Sequence, residues 1–274
     1  MEKNIPSICF ILPSIFLGFF IIIQIIDFFL SIKYFKNAKK MSFLYGMIVW
    51  GIVIGIVYDM ILLVFPDVSD SSALIKILSS LFLGLLPAIL EDIGRLITFL
   101  YIFKSKNNHY ENSVVFGLGY GGFESIVLLA IEYINYFISF NKINNSSSID
   151  DKSLMKTYNN FKDGLPTVEY FNIVMRIFGI LYHTTSSVII FRASLDIKTR
   201  KYLLFFIFVF FVHFLVDSLS NIFSKFELNA FWNFTILAIT IGYIILGFFF
   251  YKKEYSDEKN EDVKKELNEL SNEN

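Results

Sequence analysis

Cysteine occurs once in the 274 residues, at Cys9, so neither an intrachain disulfide nor a cysteine-rich metal site can form. An excess of positive charge is also missing. With 24 Lys and Arg against 25 Asp and Glu, the chain has no basic field of the kind that holds nucleic acid. No H-E-x-x-H stretch, G-x-S-x-G elbow or P-loop is present, and the glycine-rich "GLGYGG" at 117–122 lies inside an apolar run, not at a strand-to-helix turn. What the chain does have is apolar mass: 55% of residues are hydrophobic, 18% are aromatic and 33 are Phe, which points to a polytopic membrane protein.

A bilayer core about 30 Å thick needs about 20 apolar residues per helix. Seven stretches qualify: 7–32, 43–65, 72–103, 113–140, 169–191, 202–223 and 229–251. The expected fold is therefore all-α, a single domain over 1–251 made of a bundle of about seven transmembrane helices, followed by a charged tail over 252–274. The first run is expected as a retained span, because no small-residue cleavage site follows a short apolar core. The third run is too long for a straight crossing, and Pro87 predicts a kink or break within it. Lys and Arg collect after spans one, three, five and seven (Lys33, Lys36, Lys39 and Lys40; Lys104 and Lys106; Arg192, Lys198, Arg200 and Lys201; Lys252 and Lys253). By the positive-inside rule these ends face the cytoplasm, which puts the N-terminus outside and the C-terminus inside, with the cell membrane as the expected location.

Against that apolar background, charges within spans need a reason. Glu91, Asp92 and Arg95 sit in "PAILEDIGRL". Counted from the predicted cytoplasmic ends, Glu91, Glu124, His183 and His213 are each about 9 to 12 residues in, or ~14 to 18 Å at 1.5 Å per residue, on four successive spans. Gly117 and Gly121 share a helical face with Glu124 and permit close approach of another helix, turning Glu124 into protein. Span five carries a polar stripe of Arg176, Gly179, His183 and Ser187, and span six one of His213, Asp217, Ser220 and Asn221. Glu91 and Arg95, four apart, also fit a simple structural ion pair. Asp27 and Asp59 lie close to span ends, where water or headgroups reach them, and His109 is expected to be an exposed loop residue.

Two carboxylates and two imidazoles at one depth can activate water. In a metal-free scheme, a buried Glu is general base and a His stabilises the oxyanion. In a metal scheme, Glu124, His183 and His213 supply a His₂Glu set for an ion such as Zn2+, with Glu91 as base. The spacing leaves both open. It also leaves open a transporter or proton-coupled carrier using the same groups, and a non-catalytic scaffold that binds a partner helix.

The ordered set Glu91-Asp92-x-x-Arg95, Gly117-x-Gly119-x-Gly121-x-x-Glu124, His183 and His213 resembles the YhfC-like family of intramembrane peptidases over residues 72–223. That family is related to the PrsW proteases and, more distantly, to the CAAX prenyl proteases and bacteriocin-processing enzymes. The resemblance implies hydrolysis of a peptide bond in a membrane-associated substrate, with membrane lipid as surroundings. It assigns Glu91 as water-activating base, oriented by Arg95, with Glu124, His183 and His213 completing the site. CAAX-type enzymes carry two adjacent glutamates and a second-motif His where this chain has Glu91-Asp92 and Glu124, while His213-x-x-x-Asp217 resembles their last motif.

Overall fold

The computed structural model describes residues 8–58, 71–103, 109–145, 155, 159, 165–195, 200–226 and 230–272. Long helices follow one another along the chain: α1 Ile8–Tyr34, α2 Met41–Ile52, α3 Ala73–Tyr101, α4 Tyr110–Asn145, α5 Leu165–Leu195, α6 Arg200–Lys225 and α7 Ala230–Asn272. A short π-helix, Val53–Tyr58, continues α2. Strands are absent among the described residues. The second span expected over 43–65 is seen as far as Tyr58, and Asp59 lies outside the described residues. Six helices are long and apolar enough to cross a membrane, and α2 supplies a shorter apolar segment, Met41–Gly55. The protein is a polytopic all-α membrane protein.

In such a bundle, burial of an apolar side chain against protein gains little over burial in lipid, so close packing and polar contacts decide which faces turn inward. Ile, Leu and Phe accordingly fill the outward faces, Ile22, Phe29, Leu78, Phe211 and Leu246 among them. Helix α3 shows the opposite face: Ser80, Gly84, Pro87, Ala88, Glu91, Asp92, Arg95, Thr98 and Phe99 are buried, at steps of three or four residues. Of the kink or break expected at Pro87, a break is ruled out. Pro87 sits inside one continuous 29-residue helix. Ser80 and Thr98 keep their hydroxyls bonded to the carbonyls four residues back, of Lys76 and Gly94 (2.8 and 2.7 Å), which makes them tolerable in an apolar environment.

Close approaches fix the pairing. Helix α3 packs along α6, α4 along both α2 and α5, and α5 also touches α3, α6 and α7. At Gly84 a Cβ would collide with the backbone of Ser218 on α6. At Gly117 it would collide with Thr184 Cα, and at Gly121 it would come within 2.9 Å of Ile180 Cα and 3.0 Å of His183 Cβ. The helix partner that the glycine pair of α4 anticipates is thus α5, and the crossing brings Glu124 beside His183. An aromatic core of Trp50, Phe99, Phe103, Tyr110, Phe116, Tyr120, Tyr182, Phe191 and Tyr243 surrounds this junction.

The last span and the charged tail form one continuous helix of 43 residues. Its residues 254–258 dock onto the start of α4 and the end of α5. Glu254 lies 3.0 Å from Arg192 Nε and accepts from Tyr110 Oη (3.1 Å), while Tyr255 Oη donates to Glu111 (3.1 Å). Glu258 pairs with His109 (2.7 Å), which is therefore partnered in the structure and not simply exposed.

Candidate functional site

Four helices meet around Arg95. Helical spacing places Glu91 four residues and Asp92 three residues before it, so its guanidinium holds both carboxylates: Nη2 donates to Glu91 Oε2 at 2.9 Å and Nη1 to Asp92 Oδ1. Nη2 also reaches His183 Nδ1 on α5, and the Tyr120 ring of α4 covers the guanidinium, its centroid 4.1 Å from Cζ. Arg95 and Asp92 are fully buried, and Glu91 is 5% exposed. In a low-dielectric interior a lone charge here would be very costly, so each member of the group depends on the others.

The His183 ring is held on both sides. An arginine has only donors, so Nδ1 must accept from Arg95, and the ring's remaining N–H is on Nε2. That nitrogen lies 2.6 Å from Glu124 Oε2. Glu124 Oε2 is buried and, beyond this contact, has no hydrogen-bond partner among the described residues. Tyr120 and Tyr182 flank the ring, their centroids 5.5 and 5.3 Å away.

His213 on α6 occupies the other side of Glu91. Its Nδ1 lies 3.3 Å from Asp92 Oδ2, and its Nε2 lies 3.4 Å from Asp217 and 3.8 Å from Glu91 Oε2. The two imidazole centroids are 6.0 Å apart. Asp217 is the most open member, its side chain 31% exposed, followed by Glu124 at 19%.

The five residues singled out in the sequence, Glu91, Arg95, Glu124, His183 and His213, are therefore brought together. The tightest group of metal-ligating atoms is Glu91, Glu124 and His183, one atom of each lying within 4.8 Å of the others. His213 stands beside that group between two aspartates, where the sequence-based metal scheme has it as a ligand in place of Glu91. Sequence reasoning missed Tyr120 and Tyr182 and left Asp92 without a role. The signals were present: Tyr120 precedes Glu124 by four residues on the same helical face, Tyr182 adjoins His183, and Asp92 has both Arg95 and His213 as partners.

The donor set suits a divalent cation. Carboxylate oxygen and imidazole nitrogen are ordinary ligands for zinc and its neighbours. Glu91 and Asp92 contact the buried Arg95 guanidinium, and Glu124 and Asp217 stand against His183 and His213, so four carboxylates share the site with one arginine and two imidazoles. A cation at the Glu91, Glu124 and His183 group would find carboxylate and imidazole ligands already gathered.

No curated protein and no solved structure matches the chain. A match to the YhfC intramembrane metalloprotease family covers residues 19–238, most of the chain, and the protein belongs to that family.

Proposed function

We propose that the protein hydrolyses a peptide bond of a membrane-associated substrate at the Glu91, Glu124 and His183 junction, with Glu91 as the group that takes the proton from water. The observation that carries this reading is the convergence of those three side chains, one atom of each within 4.8 Å of the others, in the interior of the bundle. Glu124 and His183 would hold the metal, with Glu91 beside them as the base. A divalent cation bound there would polarise the substrate carbonyl and make water more acidic. Arg95 fixes the Glu91 carboxylate and the His183 ring together, which positions base and ligand without a rotamer search. His213, set by Asp92 and Asp217, presents a ring nitrogen 3.8 Å from the same Glu91 oxygen. It is the donor for the oxyanion and for the departing amine.

The test compares membrane peptides from cells carrying the wild type, Glu91→Gln or His183→Ala. Products that disappear in both variants, while each variant stays inserted and folded, support the reading. An unchanged product spectrum contradicts it.

A further inference from the structure

Arg176 is an ionisable group inside α5 that the reaction proposed above leaves unused. It is seven residues before His183, so the two side chains share a helical face within about 20° and are separated by about 10.5 Å along the axis. That face is turned away from lipid: the lipid side of this part of α5 is marked by Val174, Ile177 and Leu181, each about 40% exposed. Gly179, between Arg176 and His183, lies about 160° around the helix from both Ile177 and Leu181 at 100° per residue. A Cβ there would meet no heavy atom within 4 Å among the described residues. Beside Gly179, between Arg176 and His183 on the inward face of α5, the described residues thus leave open space, on the way to the partly accessible Glu124.

At the far end of this slot the guanidinium is half-buried, and its Nε makes no hydrogen bond among the described residues. The Arg176 backbone is anchored, its carbonyl accepting from Ser125 Oγ of α4 at 3.4 Å. Glu124 is close enough to feel the charge but is held against His183 at 2.6 Å. A cation held inside a span, with its Nε unspent and open space among the described residues beside the neighbouring Gly179, is arranged to receive an anion.

We infer that Arg176 is a substrate subsite for a carboxylate, about three extended residues from the bond that is cut, since about 10.5 Å corresponds to three residues at ~3.4 Å each. This deepens the peptidase reading and rests on it for the position of the cut, but the binding of a carboxylate at Arg176 is measurable without any cleavage. The substrate class is an apolar peptide bearing one acidic group, either its C-terminal carboxylate or an Asp or Glu side chain.

The experiment uses the full chain in detergent micelles, as Glu91→Gln so that probes are not consumed, and measures fluorescence anisotropy with three dye-labelled apolar hexapeptides. One has a free C-terminal carboxylate, one is its amide, and one is the amide with an internal Asp. At least one acidic probe should bind about tenfold or more tighter than the plain amide, and which one does so identifies the source of the carboxylate. Adding Arg176→Gln should bring that ratio close to one. Arg176→Lys, which keeps the charge but loses the paired donors, should leave a preference of a few-fold and serves if the Gln variant does not fold. Equal binding of all three probes, or a preference untouched by Arg176→Gln or undiminished in Arg176→Lys, would overturn the inference. If wild type cleaves nothing while the acid preference and its loss are both seen, the peptidase reading fails and the carboxylate subsite stands.

Discussion

Two polar clusters are built into this bundle, and they differ in how completely they are satisfied. At the start of α4, the carboxylates of Glu111, Glu254 and Glu258 each meet at least one donor: Tyr255 and the Asn37 amide, Tyr110, and His109. This cluster clamps the α1–α2 turn, α4, α5 and α7 together, and each of its carboxylates has a donor. Around Arg95, by contrast, two carboxylates contact one buried guanidinium and two more stand against the neighbouring histidines, while Tyr120 Oη, Tyr182 Oη and Arg95 Nε have no hydrogen-bond partner among the described residues. Unmet donors and acceptors cost free energy wherever they are buried, and most in a membrane. A fold keeps such a debt where a ligand or a reacting group settles it, and the other cluster is architecture.

The contrast can be broken by substitution. The largest effect is expected at the reacting groups: Glu91→Gln should lower cleavage on the order of 10³-fold or more with little change in thermal stability, measured by product formation from a membrane-inserted reporter. Arg95→Ala should instead damage the fold. It leaves Glu91 and Asp92 buried without a counter-charge, a loss of about 3 to 5 kcal/mol visible as a large drop in unfolding temperature. A few-fold to about a hundredfold drop in kcat, with the protein still folded, is expected for His213→Gln, which keeps a polar side chain but removes the imidazole set by the two aspartates. The smallest effect belongs to the clamp. Glu258→Gln removes a partly exposed pair with His109, worth about 0.5 to 1 kcal/mol, and should leave cleavage within about twofold of wild type.

The helices and the inward-facing charges were legible in the sequence for a physical reason. Hydropathy alone separates lipid from water, and ionisable groups stand out against it. The glycines of α4 were readable as a contact face because backbone approach demands them, and the structure names α5 as the neighbour. Other features depend on contacts between distant segments and left only faint traces. Pro87 was expected to kink or break α3; it does not end the helix, which packs along α6. The charged tail meets, through Glu254 and Glu258, residues about 60 to 150 positions away. Tyr120 over Arg95 and the placing of His213 between Asp92 and Asp217 follow from which helices adjoin, and no local pattern encodes that.

The central claim is that the unsatisfied cluster is built for a cation and the satisfied one is not. Metal content of the purified protein tests this most directly, compared among wild type, Glu124→Gln and Glu258→Gln under identical purification. The account predicts about one divalent ion per chain in wild type and in Glu258→Gln, and almost none in Glu124→Gln. Equal metal content in all three proteins, or none in the wild type under conditions where it cleaves, would contradict it.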